Sequence, residues 1–157
     1  MQTDTDVLIR LDDYLPFLVN RIGPRIEQGF AEPLARAGIT LPMWRVMAIL
    51  RAEGPQRLND LGRMTSMPLS STSRLVSEMV EAGLLDRTRS HQDGRAIRVA
   101  LSTVGTVIAA DVSREAEAYE ARITRSMTAA DTATLKRLLK RLNDELVSLT
   151  DTRESET

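Results

Sequence analysis

The segment that decides the fold is Arg57–Ser102, RLNDLGRMTSMPLSSTSRLVSEMVEAGLLDRTRSHQDGRAIRVALS. Apolar residues recur at helical spacing through 58–65 and 69–82, and they alternate with polar residues through 85–89 and 96–101. Gly83 is suited to end the second helix and Gly94 to turn between two strands, because glycine readily adopts positive φ. The segment therefore predicts two helices joined by a turn, followed by a β-hairpin.

The second helix of this segment has two faces of different composition when it is wound at about 100° per residue. The face predicted to be buried carries Leu69, Thr72, Leu75, Val76, Met79, Val80 and Ala82, and the opposite face carries Ser70, Arg74, Ser77 and Glu81. Short hydroxyls allow close approach to phosphates, and an arginine can donate two hydrogen bonds to guanine. The second face is thus suited to a DNA groove, although a solvated helix capped by serines gives the same pattern.

The predicted hairpin is rich in arginine. It carries Arg87, Arg89, Arg95 and Arg98 against two acidic residues, Asp86 and Asp93. Residues 57–102 hold seven basic and five acidic residues, whereas the whole chain has a net charge of −1. Because arginine is attracted into narrow minor grooves, a cationic hairpin beside the helix indicates a second contact with DNA.

Several motifs together resemble the MarR family of bacterial transcriptional regulators. They are Leu61, the run SSTSRLV at 70–76, EAGLLDR at 81–87, DGR at 93–95 and LSTVG at 101–105. Ser102 stands where the family usually has threonine, and Gly62 replaces a usual alanine. The resemblance implies a mainly α fold with a small β-hairpin wing, that is, a winged helix-turn-helix whose terminal helices form a dimerisation region.

The remainder of the chain fits this organisation as one domain, 1–157. Residues 11–37 and 103–150 are predicted to form dimerisation helices, and residues 40–102 the winged helix. The last helix carries a stripe of leucines, Leu135, Leu138, Leu139, Leu142, Leu146 and Leu149, which is more apolar surface than one small winged helix needs. We expect a homodimer whose two DNA-binding parts contact a roughly palindromic operator.

The predicted DNA-binding residues are Ser70, Ser71, Ser73, Arg74 and Ser77 on the second helix, with Arg87, Arg89 and Arg95 on the wing. Ser70 and Ser71 lie at the start of the helix, where free N–H groups favour a phosphate. Asp93 is predicted to support the wing by pairing with an arginine, because a carboxylate repels phosphate.

The composition argues against catalysis and metal binding. One histidine and no cysteine rule out a Cys/His pair, a thiol redox sensor and a metal site built from those residues. We therefore expect no enzyme activity and no cofactor. No apolar run is long enough to span a bilayer. The N-terminus has no signal-peptide pattern, which favours the cytoplasm.

In the resembled family, small organic anions bind between the dimerisation helices and the DNA-binding part. Carried onto this chain, that pocket would include Phe17, Arg21, Trp44, Arg45 and Met47. Trp44 is better suited to be a core anchor than to stack on a ligand, and either arginine is equally suited to be exposed to solvent. The sequence therefore predicts a DNA-binding repressor released by a small aromatic or anionic effector. The alternative is a winged-helix protein-interaction module that does not bind DNA.

Overall fold

A computed structural model describes residues 10–89 and 97–155. The described elements are α1 (Leu15–Gly29), α2 (Ala31–Arg36), α3 (Leu41–Glu53), α4 (Leu58–Thr65), α5 (Leu69–Glu81), β1 (Leu85–Arg89), β2 (Ile97–Leu101), α6 (Thr103–Ile123) and α7 (Ala129–Ser155). A short 3-10 turn, Leu11–Asp13, precedes α1. This architecture confirms the predicted mainly α class with a small hairpin. The chain divides into two compact units, of which the first ends at Ala116 and the second begins at Glu117.

The helix boundaries follow local sequence signals. The Thr40 side chain accepts a hydrogen bond from the Met43 amide at 3.4 Å and so caps α3. After α5, Gly83 has a φ of 72°. Its amide and the Leu84 amide donate to the carbonyls of Val80 and Met79 at 3.0 and 2.9 Å. This pattern closes the helix as a Schellman motif and confirms Gly83 as its stop.

The turn between α4 and α5 uses the same motif without glycine. Ser66 lies in the left-handed region, with φ 56° and ψ 34°, and it is the only non-glycine residue with positive φ among those described. The amides of Ser66 and Met67 donate to the carbonyls of Arg63 and Gly62 at 3.2 and 3.0 Å. The turn is therefore held by backbone hydrogen bonds in a conformation that disfavours an L side chain.

The core of the first unit lies between the helix-turn-helix and α3. Its completely buried side chains are Val46, Met47, Leu61, Thr72, Val76, Met79, Leu85 and Val112. They come from four helices and from β1, so one apolar cluster orients α4 and α5 against α3, the hairpin and the first half of α6. This cluster leaves one face of α5 exposed for a ligand.

The hairpin is antiparallel, with Leu85 opposite Leu101, Arg87 opposite Val99 and Arg89 opposite Ile97. Val99 also exchanges two backbone hydrogen bonds with Gln56, at 2.8 and 3.0 Å. Because Gln56 lies just before α4, these bonds join the stem of the hairpin to the start of the helix-turn-helix.

Two residues predicted to lie on buried faces are exposed instead. Leu69 on α5 and Ile97 on β2 have 50% and 60% of their surface exposed. Each is the first residue of its element, where burial depends on how far the neighbouring elements extend. The predictions for these two residues were wrong, while Val76 and Val99 are buried as expected.

The second unit contains the end of α6 and α7. Thr128 and Asp131 form a capping box: the Asp131 amide donates to the Thr128 hydroxyl at 3.1 Å, and the Thr128 amide donates to the Asp131 carboxylate at 3.2 Å. Most of the leucines along α7 are more than 40% exposed. Within the described ranges, no helix is both long and apolar enough to cross a membrane.

Candidate DNA-binding surface

The exposed face of α5 is built by the packing of its other face. Thr72, Val76 and Met79 are buried, and the Thr72 hydroxyl also donates to the Pro68 carbonyl at 3.0 Å. Ser70, Ser71 and Arg74 are exposed as a consequence. Pro68 stands at the N-cap with no side-chain cap, so the first amides of α5 are not occupied by a capping side chain. Backbone N–H groups at a helix start favour an anion such as phosphate.

Two further predicted contact residues, Ser73 and Ser77, lie on the flank of this face. Both are half-buried, so their hydroxyls reach the surface less completely than those of Ser70 and Ser71. Glu78 and Glu81 are exposed nearer the end of the helix. The surface of α5 is therefore hydroxyl-rich and cationic in its first half and acidic in its second, which favours docking by the N-terminal half.

The wing contributes arginines beside this face. Arg87 is exposed on β1. Arg89 is the last residue of β1. The Arg87 guanidinium donates to the Ser77 hydroxyl at 2.7 Å, so the structure brings together one predicted residue of the wing and one of α5. Arg95 and Asp93 lie outside the described residues, and their predicted roles at the wing tip stay predictions.

Arg98 has a structural role that sequence reasoning missed. Its Nη1 donates to the Pro55 carbonyl at 3.2 Å, which joins β2 to the loop before α4. Its Nε is buried without a hydrogen-bond partner in the described part of the chain. The alternation of the strand indicated only that Arg98 points away from Val99, and the contact with Pro55 depends on a segment 43 residues earlier.

Ser102 joins the end of α5 to the start of α6. Its hydroxyl accepts a hydrogen bond from the Gly105 amide at 2.9 Å and donates to the Gly83 carbonyl at 2.7 Å. A Cβ on Gly105 would lie 2.0 Å from the Leu84 carbonyl oxygen, so only glycine fits there. The Ser102 hydroxyl therefore caps α6, and its second bond, to the residue that ends α5, was not evident from the sequence.

The five predicted effector residues make contacts with several different partners. Arg21 lies over the Phe17 ring at 5.9 Å and pairs with Asp12 at 3.6 Å. The rings of Trp44 and Phe30 are 6.3 Å apart. Arg45 pairs with Glu27 at 3.0 Å, and Met47 is completely buried. In this conformation Met47 therefore offers no surface to a ligand, and the anion-binding capacity of Arg45 is directed to a carboxylate of the chain.

A separate cavity of about 290 Å³ lies where α3, β2 and α6 approach one another. Its lining consists of Leu50, Arg51, Pro55, Ala100, Leu101 and Thr106, none of which was predicted as an effector contact. Among the residues with described positions, no group of three or more His, Cys, Asp or Glu side chains could hold a metal ion.

Comparison with known proteins identifies this arrangement. A model of the MarR family matches residues 37–96. The fold is similar to the crystal structure of a MarR family transcriptional regulator from Silicibacter pomeroyi, with 26% identity, a TM-score of 0.78, and coverage of 86% of this chain and 90% of that one.

The chain is thus similar to the MarR family of transcriptional regulators.

The family match spans α3 to β1 and so contains the whole exposed face of α5. The chain is also similar to the transcriptional repressor IacR of Pseudomonas putida, at 29% identity over 96 residues, which are 61% of this chain but only 58% of IacR. Its fold is similar to CouR of Rhodococcus jostii, solved with p-coumaroyl-CoA, at 21% identity and a TM-score of 0.77, over 84% of this chain and 93% of CouR. IacR and the Silicibacter pomeroyi protein are transcriptional regulators.

Proposed function

We propose that this protein is a homodimeric repressor of the MarR family. Each copy would insert α5 into a major groove and the wing into the adjacent minor groove of a roughly palindromic operator. A small aromatic or anionic effector would release it. The carrying observation is the face of α5 on which Ser70, Ser71 and Arg74 are exposed while the opposite face is buried in the core. Such a regulator would act in the cytoplasm, where the DNA is.

The chemistry of this face supports base recognition near Arg74. Arginine is the residue that most often donates two hydrogen bonds to guanine in the major groove. Ser70 and Ser71 lie one turn earlier, beside the uncapped amides of α5, where they suit a phosphate oxygen. Arg87 and Arg89 on the wing add positive charge beside the helix, which increases the attraction to the DNA backbone.

The terminal helices support the proposal of a dimer. Leu15, Val19, Ile22 and Ile26 recur along α1, yet each is more than 40% exposed, and α1 has no buried residue. Exposed apolar stripes of this length mark surfaces that bind another protein. In the family such helices pair with a second copy, so two DNA-binding parts would meet half-sites one helical turn apart, about 10 base pairs.

Binding to DNA is tested by a mobility shift or fluorescence anisotropy with duplexes from upstream of the protein's own gene. We expect Arg74→Ala to lower the affinity for the operator about ten- to a hundredfold and to relax the preference at one base pair. Arg114→Ala removes the same charge from an exposed position on α6, where Arg114 pairs with Asp111. That control should bind the operator like the wild type.

The proposal fails if the wild-type protein binds no duplex at low ionic strength, and a winged-helix protein-interaction module would then be the better interpretation. It also fails in part if Arg74→Ala binds as tightly and as selectively as the wild type, because the reading face would then lie elsewhere. Sedimentation velocity of the same samples tests the dimer independently.

The effector is tested by a thermal-shift screen of aromatic carboxylic acids and their coenzyme A thioesters. A true effector must lower the affinity for the operator, and the operator must lower the affinity for the effector by the same factor. Compounds that raise the melting temperature without this reciprocal effect are ligands but not effectors. If no compound of either class binds, this part of the proposal is wrong and DNA binding is unaffected.

A further inference from the structure

The hydrogen bond between Arg87 and Ser77 is the one described side-chain contact that joins the predicted DNA-contacting residues of the wing and of α5. It spans 2.7 Å from a guanidinium nitrogen to the serine oxygen, between residues ten positions apart in the chain. Ser77 is half-buried on the flank of α5, and Arg87 is exposed on β1. The bond therefore lies at the junction of the two surfaces proposed to contact DNA.

The position of Arg87 on the strand explains how it reaches α5. Side chains two residues apart on a strand share a face, so Arg87 lies on the same face as Leu85, which is completely buried. Its cross-strand partner Val99 is also buried and is fixed to Gln56 by two backbone hydrogen bonds. The strand that pairs with Arg87 is thus itself held on its other side.

The chemistry of the pair leaves both side chains able to bind a further group. A guanidinium has five N–H donors in a fixed plane, and the bond to Ser77 uses only one. The Ser77 oxygen accepts that bond, and its own hydroxyl hydrogen remains able to donate. An unrestrained arginine loses rotamer freedom when it binds a phosphate, whereas an arginine already held in place loses less.

We propose that Ser77 is a positioning residue for Arg87, which it holds between α5 and the wing so that the guanidinium meets a DNA backbone phosphate already oriented. This inference rests on the proposed DNA-binding function. It changes the role predicted for Ser77, which acts through Arg87 rather than by its own contact with a base. Arg87 in turn fixes the wing relative to the recognition helix.

The proposal is tested by a double-mutant cycle with Ser77→Ala, Arg87→Ala and the double variant, measured as operator affinity over a series of salt concentrations. Arg87→Ala should weaken binding and lower the slope of log affinity against log salt by about one, because one phosphate contact is lost. Ser77→Ala should weaken binding about three- to tenfold and leave that slope unchanged. In the Arg87→Ala background, Ser77→Ala should have no further effect.

Arg89 provides the matched control, because it is the other arginine of β1, two residues from Arg87, and Arg87 is the residue bonded to Ser77. The losses caused by Arg89→Ala and Ser77→Ala should therefore multiply. Ser77→Thr keeps the hydroxyl and should restore most of the affinity lost in Ser77→Ala. Equal melting temperatures across the series separate positioning from a general loss of structure.

The inference is overturned if Ser77→Ala weakens binding equally with and without Arg87, because Ser77 would then contact DNA itself. It is also overturned if Ser77→Ala has no effect. In both cases the wild type still binds the operator, so the proposed function stands. If the wild type binds no duplex at low salt, the proposed function and this inference fall together.

Discussion

The helix-turn-helix and the terminal helices carry similar apolar patterns but differ in burial. Leu61 on α4 and Val76 on α5 are almost completely buried, whereas the leucines of α7 that remain exposed range from 42% to 63%. The spacing of apolar residues therefore indicates that one face of a helix is apolar, but it does not indicate that the same copy of the chain buries that face. The winged helix therefore has a core that one copy of the chain completes, while α1 and α7 carry exposed apolar residues, which the proposed dimer would cover.

The largest expected effect lies in the complete core. Leu61→Ala should lower the free energy of unfolding by about 2 to 5 kcal/mol, because a completely buried leucine leaves a cavity. Urea denaturation measures this loss. Apart from the contribution of dimer dissociation, the difference in unfolding free energy between the variant and the wild type should not depend on protein concentration. Leu69→Ala removes the same atoms from a half-exposed position and should cost under about 1 kcal/mol. Equal losses for the two variants would contradict the assignment of Leu61 to the core.

A smaller effect, of a different kind, is expected on α7. Leu139→Ala should destabilise the proposed dimer by about 1 to 2 kcal/mol per subunit, because a leucine that is half-exposed in one copy would be buried by two. Sedimentation equilibrium should show a higher dissociation constant, and the melting temperature should become more dependent on protein concentration. Lys140→Ala, the next residue along, serves as the control. An unchanged dissociation constant for Leu139→Ala would place the contact between copies elsewhere.

The third prediction concerns the turn between α4 and α5, where a substitution is expected to increase stability. Ser66→Gly should raise the free energy of unfolding by up to about 1 kcal/mol, since relief of the left-handed conformation exceeds the added freedom of the unfolded chain. Ser70→Gly, within the first turn of α5, should lower it by up to about 1 kcal/mol. Both are measured by thermal or urea denaturation. Stabilisation by both substitutions would contradict the backbone conformation described for Ser66.

The smallest effect concerns the start of α7. Hydrogen bonds from the Thr128 hydroxyl and amide lower the pKa of the Asp131 carboxyl. Because the folded pKa lies below the unfolded one, this stabilisation is present at neutral pH and is lost as the pH falls through the folded pKa, below about pH 4. Asp131→Asn should therefore flatten the loss of stability of the wild type in that range. Parallel curves of stability against pH for the two proteins would rule out this contribution.

Local signals in the sequence predicted the elements and their ends well. Gly83, Thr40 and Ser102 act on amides and carbonyls within a few residues, so their roles follow from spacing alone. Burial at the ends of elements did not follow, because it depends on how far the packed neighbour extends; Leu69 and Ile97 are examples.

The candidate site likewise has features that the sequence predicted and features that it did not. The exposed face of α5 was predictable from periodicity, because Ser70, Ser71 and Arg74 lie opposite a face that any fold of this chain would bury. The bond between Arg87 and Ser77 was not predictable, since it depends on the twist of the hairpin and on two side-chain rotamers. The contact of Arg98 with Pro55 escaped for the same reason.

The hydrogen bonds of Ser102 couple the end of α5 to the start of α6. One hydroxyl is bonded to the Gly83 carbonyl just after α5 and to the Gly105 amide in the first turn of α6, and there is no space for a methyl group at Gly105. We therefore expect a tilt of the first turn of α6 to move the end of α5 with it. In the proposed complex, such a movement would displace Arg74 from the DNA.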